Sequence, residues 1–118
     1  MKKFLQVMKA LSNPGRLKIL KVLQDRPMCV GEIQSVLDIS QPAVSSHLAT
    51  LEAAGLVDRQ RKGLWVYYGL SDGSDTPYAA ALLGNLRHWL EDSPDVAVLM
   101  EKVHALPKLK LTEAQPRK

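Results

Sequence analysis

Residues 40–55 constrain the fold more than any other stretch, because they mark both ends of a helix. Ser40 is a favourable N-cap, Pro42 falls in the first turn where its missing N–H costs nothing, and Gly55 suits the left-handed residue after a helix. Helical spacing gives one apolar face, formed by Val44, Leu48 and Leu51. The opposite face carries only short side chains, which indicates close approach to another surface: Pro42, Ala43, Ser45, Ser46, Ala49 and Thr50.

The segments on either side of this helix predict a winged helix-turn-helix. Residues 30–37 have helical periodicity, and the short connection through Asp38 completes a helix-turn-helix. Downstream, two strand-like runs, 56–61 and 64–70, flank Lys62-Gly63 and predict a β-hairpin. Its basic side chains favour a wing that binds phosphate, although charges on an exposed hairpin also protect strand edges from aggregation. These side chains are Arg59, Arg61 and Lys62.

The remaining helical segments predict how the domain is completed. A first helix ends near residues 12–13, and a second begins at Asn13-Pro14, with Arg16, Lys18 and Lys21 expected in solvent. Two C-terminal helices carry broad apolar stripes, of which the first extends to Trp89 and Leu90 and the second holds Val96, Leu99, Met100 and Val103. With the first helix we expect them to form a symmetric dimer interface; the alternative is packing within one chain. This gives one domain over residues 1–104 and a flexible tail over 105–118.

Composition limits the classes of protein that this chain can belong to. The chain has 118 residues, a net charge of +4 and one cysteine, so it fits one domain with no internal disulfide. No run approaches the roughly 20 apolar residues of a membrane span, and we expect a cytoplasmic protein without a membrane partner. We also expect no enzyme. Ser46 and His47 are neighbours on a helix and point about 100° apart, and no nucleophile elbow or phosphate loop is visible.

Four stretches together resemble the ArsR/SmtB family of winged-helix metalloregulators: LSNPGRLKIL at 11–20, CVGEI at 29–33, SQPAVSSHL at 40–48 and LWVYY at 64–68. The similarity runs from about residue 4 to residue 103. It implies a homodimer that binds a palindromic operator in double-stranded DNA and represses transcription. It also implies release from DNA when a metal, a metalloid or another small effector binds.

The resemblance places the recognition helix of the family at residues 41–54. Its N-terminal half is expected to enter the major groove, where Gln41, Ser45 and Ser46 reach base edges. For His47, packing beside the core and phosphate contact remain open alternatives. Arg59, Arg61 and Lys62 would bind phosphate and add affinity rather than sequence choice. The complete predicted DNA-binding set is Ser40, Gln41, Ala43, Ser45, Ser46, His47, Arg59, Arg61 and Lys62.

Both metal sites of the family are incomplete in this sequence. The arsenic-sensing branch has a Cys-Val-Cys pattern, whereas here Gly31 follows Cys29-Val30. On the fifth helix, His88 and Glu91 have the i, i+3 spacing that places two ligands on one helix face, but Pro77 replaces a histidine. The candidate metal ligands are Cys29, His88 and Glu91; the alternatives are a half-buried thiol and a surface contact near a helix end. Two other functions remain open, a DNA-binding protein without metal sensing and a winged-helix module for protein–protein contact.

Overall fold

The computed structural model of the protein describes residues 1–107, which form six helices and one β-hairpin and confirm the predicted winged helix-turn-helix. The elements follow in chain order: α1 (Lys2–Leu11), α2 (Pro14–Leu23), α3 (Val30–Leu37), α4 (Gln41–Ala53), β1 (Val57–Lys62), β2 (Trp65–Leu70), α5 (Pro77–Leu86) and α6 (Pro94–Ala105).

The caps of α4 form as its sequence predicts, although the helix ends one residue earlier than expected. Ser40 has extended backbone angles, and its Oγ accepts a hydrogen bond from the Ala43 N–H at 3.2 Å. Asp38 ends α3 in the left-handed conformation at φ 58°, and Gly55 follows α4 with φ 79°. Both positive φ values occur at residue types that tolerate them, so the turn on each side of α4 is fixed by local sequence.

The hairpin pairs β1 and β2 antiparallel, with Val57 opposite Leu70 and Lys62 opposite Trp65. The two-residue turn is therefore Gly63-Leu64, one residue later than predicted, and Gly63 supplies its positive φ of 61°. Met28 exchanges two backbone hydrogen bonds with Tyr68, at 2.9 and 2.8 Å. This bridge satisfies part of the free edge of β2 and attaches the wing to the segment that precedes α3.

The core surrounds α2, and the apolar stripe of α6 is part of it. Val96, Leu99 and Val103 are buried within the chain, so the prediction that the α6 stripe lies at a dimer interface is wrong for these residues. The apolar residues that stay exposed on α1 and α5 include Phe4 and Tyr78, whose rings meet edge to face at 5.3 Å. α1 and α5 thus offer an apolar surface that a second copy of the chain can cover, whereas the buried part of the α6 stripe does not.

Two predictions about α2 and α5 are wrong for one shared reason. Lys21 is not in solvent but only 2% exposed, and its Nζ donates to the carbonyls of Leu86 and Trp89, each at 2.9 Å. α5 ends at Leu86 instead of continuing to residue 90, and Leu90 has a left-handed φ of 67°. Carbonyls at a helix C-terminus have no partner in the helix, and here an ammonium group supplies one.

The C-terminal boundary is described only in part. α6 ends at Ala105, and Leu106 and Pro107 follow it. Most of the predicted tail, residues 108–118, lies outside the described residues, and the division of the chain at residue 104 stays a prediction. Among residues 1–107, no helix combines the length and the apolar character needed to cross a bilayer.

Candidate nucleic-acid interface

The outer face of α4 is exposed, small and uncharged. Gln41, Ser45, Ser46 and Ala49 are exposed, and Ala43 is half-buried. The Thr50 hydroxyl donates to the Ser46 carbonyl at 3.2 Å, so it is already engaged within the helix. A helix with short side chains on its outer face allows its backbone to come close to a groove floor, and its amide and hydroxyl groups offer both donors and acceptors.

His47 packs against α2. A Cβ built on Gly15 would lie 2.8 Å from His47 Nε2, so the imidazole occupies the space beside this glycine. Burial, and to a smaller extent the charge of Arg16, lowers the pKa of His47 below its ordinary value. The ring is therefore neutral at pH 7 and offers no cation to phosphate. Of the two roles that the sequence left open, these contacts support packing.

Arg59 connects the wing to the end of α4 through a salt bridge. Its Nε and Nη2 donate to the two carboxylate oxygens of Glu52 at 3.1 and 3.0 Å. The guanidinium carbon lies 6.0 Å from the centre of the Tyr68 ring, at the outer limit of a cation–π contact. Glu52 also raises the pKa of Arg59, mainly through these hydrogen bonds. The predicted phosphate ligand is thus committed to a partner in the chain.

The other two wing cations are available to an external anion. Arg61 and Lys62 lie at the exposed end of β1, next to the Gly63-Leu64 turn. Within residues 1–107, neither forms an ion pair with an acidic side chain. Cross-strand pairing places Arg61 opposite Val66 and Lys62 opposite Trp65, so the two charges point to opposite faces of the hairpin. Such a tip presents positive charge on both sides.

The sequence interpretation missed two sets of side-chain contacts of α1, one with α4 and one with α2. The Gln6 amide donates to the Ala53 carbonyl at the end of α4, at 3.2 Å. Arg16, predicted in solvent, is half-buried and donates to the Ala10 and Lys9 carbonyls of α1 at 2.7 and 3.1 Å. The available signal was a general one, because the last carbonyls of every helix need donors. Which side chain supplies them depends on the tertiary fold.

Cys29 does not fit a thiolate metal site. It is the N-cap residue of α3, where its backbone N–H donates to Glu32 Oε1 at 3.1 Å and its side chain accepts from the Glu32 N–H. Burial is the largest cause that raises the pKa of the Cys29 thiol, and the nearby Glu32 charge adds to it. Metals bind the thiolate, so a raised pKa disfavours binding at neutral pH. In the described part of the chain, no three His, Cys, Asp or Glu side chains come together as a metal site.

The helical geometry predicted for His88 and Glu91 is wrong. α5 ends at Leu86, so both residues lie in the turn that connects α5 to α6. Glu91 Oε2 lies 3.1 Å from Nζ of the buried Lys21 and is already paired. Asp75, two residues before the Pro77 that replaces the family's histidine, is also paired, with its Oδ2 3.4 Å from Lys3 Nζ. The residues present do not fit the metal site of the fifth helix.

The comparisons with known proteins agree with this geometry. The family model described as "Bacterial regulatory protein, arsR family" matches residues 13–59. The transcriptional activator HlyU of Vibrio cholerae is 45% identical over 65 residues, which cover 55% of this chain and 60% of that protein. The arsenic resistance transcriptional regulator ArsR1 of Pseudomonas putida is 37% identical over 99 residues, which cover 80% of this chain and 76% of that protein.

A solved structure supports the same fold. The winged helix-turn-helix DNA-binding domain of a possible ArsR-family regulator from Mycobacterium bovis, described as homodimeric, superposes with a TM-score of 0.64. It is 28% identical, and the match covers 77% of this chain and 81% of that one. The fold, the exposed face of α4 and the basic wing define a DNA-binding transcriptional regulator of the winged helix-turn-helix class. The chain belongs to the bacterial ArsR family.

Proposed function

We propose that the protein is a homodimeric repressor that binds a palindromic operator and occludes transcription. The N-terminal half of α4 enters the major groove, and Gln41, Ser45 and Ser46 contact base edges. Arg61 and Lys62 on each wing bind flanking phosphates. A symmetric dimer presents two such helices, which is why the operator is a palindrome.

One observation carries this proposal: the outer face of α4 is capped, small and polar, and it lies beside a wing whose Arg61 and Lys62 have no acidic partner within residues 1–107. Ser40 fixes the start of the helix through its bond to Ala43, so Gln41 stands in the first exposed turn. Proteins that bind DNA combine such a reading surface with charges that position it on the backbone. The exposed apolar residues of α1 and α5, with Phe4 against Tyr78, support a dimer formed through these helices.

Salt-dependent DNA binding tests the proposal. The full-length protein is titrated against fluorescent DNA from the region upstream of its own coding sequence, at several salt concentrations. Each phosphate neutralised changes the slope of log K against log[salt] by about 0.9, so Arg61→Ala should flatten the slope by about two units in a symmetric dimer. All DNA sequences should weaken similarly, because phosphate carries no sequence information.

Arg59→Ala is the matched control, because it removes the same charge from the same strand. Arg59 is paired with Glu52, so its loss should change the slope by less than half as much as the loss of Arg61. An Arg61→Ala slope equal to that of the unmodified protein contradicts the wing assignment. Absence of any DNA complex at low salt contradicts the whole proposal and favours the protein–protein interaction module.

The direction of regulation requires its own measurement. The family resemblance implies repression, whereas the V. cholerae relative carries "activator" in its name. A reporter gene under the upstream region, with and without the protein, decides between them: repression predicts higher expression when the protein is absent. The proposal describes a cytoplasmic regulator rather than an enzyme, supported by relatives that are transcriptional regulators. Metal sensing through Cys29, His88 and Glu91 is not part of it, because their contacts do not form a site.

A further inference from the structure

A cavity of about 570 Å³ lies between the wing and α3. We call it the wing cleft. Its walls are residues 29–32 and 35 at α3, Gln41 at the start of α4, residues 64–67 of the hairpin and residues 106–107 after α6. This volume falls in the range of pockets that bind small organic molecules. The wing cleft is separate from the outer face of α4, although Gln41 belongs to both.

Aromatic and apolar groups dominate the wing cleft. Trp65 and Tyr67 lie on one face of the hairpin, with ring centres 6.0 Å apart and planes tilted by 39°. Leu64 at the tip is 76% exposed, which leaves a large apolar side chain at the mouth of the cleft without cover. Two aromatic rings and an uncovered leucine favour a planar apolar occupant, whose burial removes this surface from water.

The charge of the wing cleft disfavours anions. Glu32 is its acidic residue, and among the described residues that line it there is no lysine or arginine. Burial raises the pKa values of both Cys29 and Tyr67, and the carboxylate of Glu32 contributes to each shift. The thiol and the phenol are therefore neutral at pH 7. A negatively charged molecule would enter a space with one negative charge and no opposite charge to pair with it.

Trp65 supplies a donor that has no acceptor. Its Nε1 is buried and makes no hydrogen bond within residues 1–107. An unsatisfied buried donor is uncommon and costs free energy, so a molecule that offers an acceptor gains more here than at an ordinary surface. Since Nε1 is covered by protein, the indole must rotate to reach such an acceptor. Trp65 is the first residue of β2, beside the hairpin turn, and it is only partly buried, which leaves room for this rotation.

We propose that the wing cleft binds a neutral planar aromatic molecule with a hydrogen-bond acceptor, and that this binding lowers the affinity of the protein for DNA. The second half of this inference rests on the proposed function. An occupant contacts Gln41, which is expected to read a base, and the hairpin that carries Arg61 and Lys62. It therefore competes for one base-reading side chain and shifts the wing relative to α4. Differential contact of this kind with the free and DNA-bound states is the requirement for coupling.

Nuclear magnetic resonance of the two indole groups tests binding without DNA. The chain has two tryptophans, Trp65 and Trp89, so an amide correlation spectrum shows two indole N–H signals, assigned with Trp89→Phe. The neutral probe is 2-acetonaphthone, and its matched anion is 2-naphthoate. We expect the ketone to shift the Trp65 signal and leave the Trp89 signal in place, with an affinity at least about tenfold above that of the carboxylate.

Two variants separate the donor from the charge. Trp65→Phe keeps an aromatic ring without the N–H and should weaken ketone binding about fivefold, measured by calorimetry. Glu32→Gln keeps an acceptor for the Cys29 N–H and should tighten naphthoate binding about fivefold while leaving the ketone within about twofold. An unmoved Trp65 signal up to the solubility limit of the ketone overturns the binding site. Equal affinities for ketone and carboxylate overturn the proposed ligand class.

The effect of the same probe on DNA binding is measured with DNA from the region upstream of the coding sequence. Saturation with 2-acetonaphthone should raise the Kd for DNA by about fivefold or more, and Trp65→Phe should require about fivefold more probe to reach the same effect. A shifted Trp65 signal with an unchanged Kd for DNA overturns the coupling. If the probe-free protein does not bind DNA at all, the proposed function fails, whereas the spectra still decide whether the wing cleft is a binding site.

Discussion

The most informative perturbation is Lys21→Met, because it removes a buried charge while keeping the length and volume of the side chain. The Lys21 side chain is 3% exposed, and its Nζ donates to Leu86 O and Trp89 O, each at 2.9 Å, and to Glu91 Oε2 at 3.1 Å. Methionine leaves both carbonyls without their hydrogen-bond donor. The bond to Leu86 O is buried and the bond to Trp89 O is partly buried, so only the second carbonyl regains water easily.

These contacts set the magnitude. A buried acceptor left without a donor costs about 1–3 kcal/mol, and the partly hydrated carbonyl costs less. Removing the ammonium also removes its own desolvation penalty, which prevents the total from rising further. We expect Lys21→Met to lower the free energy of unfolding by about 2–3 kcal/mol, or the melting temperature by roughly 10 °C. Urea unfolding at one fixed protein concentration measures this, because dimerisation makes stability depend on concentration.

Two comparisons show whether the carbonyls or the ion pair carry the effect. The Glu91 side chain is 65% exposed, so Glu91→Gln removes a hydrated ion pair and should cost less than about 1 kcal/mol. Lys18→Met makes the same substitution three residues earlier on α2, outside the Lys21 contacts, and should stay within about 0.5 kcal/mol. A Glu91→Gln cost equal to that of Lys21→Met refutes the carbonyl argument, and so does a neutral Lys21→Met.

Two further predictions concern titratable groups. The folded state holds the pKa of His47 below its unfolded value, so the unfolded chain binds a proton first as pH falls through about 6.5, and the protein should lose stability across this window. Urea midpoints at several pH values measure this loss, which His47→Gln should remove and His88→Gln should keep. Burial raises the pKa of Cys29, so at pH 7.5 iodoacetamide should alkylate the folded protein more slowly than the same protein in urea, and the difference between the two rates should narrow above pH 9. Equal rates would show that the thiol is not buried and that its pKa is not raised.

The elements that the sequence predicts well are those whose ends are set by residues close together in the chain. Ser40, Pro42 and Gly55 mark the ends of α4 through their own backbone preferences, and the structure has the helix within one residue of the prediction. The hairpin follows from β-branched and aromatic residues around Gly63, and only its turn is displaced by one residue. In each case the signal and the element share the same stretch of chain, so tertiary contacts have little to change.

The errors arise where a helix meets a distant donor. No glycine or proline marks the end of α5, and apolar periodicity continues to Leu90. The helix nevertheless ends at Leu86, where Lys21, 65 residues earlier in the chain, donates to its terminal carbonyl. Helical periodicity assigns a lysine to solvent by default, because an unpaired buried ammonium is costly. That default fails when the fold brings unpaired helix carbonyls to the side chain, and the helical geometry predicted for His88 and Glu91 fails with it.

The same reasoning changes what the basic residues imply for DNA binding. The sequence places six cations on α2 and the wing, and three of them are committed within the chain: Arg16 to α1 carbonyls, Lys21 to the end of α5 and Arg59 to Glu52. A dimer using all six per protomer would neutralise twelve phosphates and show a salt slope near −11. With only Lys18, Arg61 and Lys62 contributing, the limit is six phosphates and a slope of about −5. A measured slope steeper than about −5 would mean that further cations contact DNA, and if Arg59 is one of them, Arg59→Ala should flatten the slope as much as Arg61→Ala does. A slope of about −5 or shallower is the result expected when Lys18 and the two wing cations carry the electrostatic part of binding.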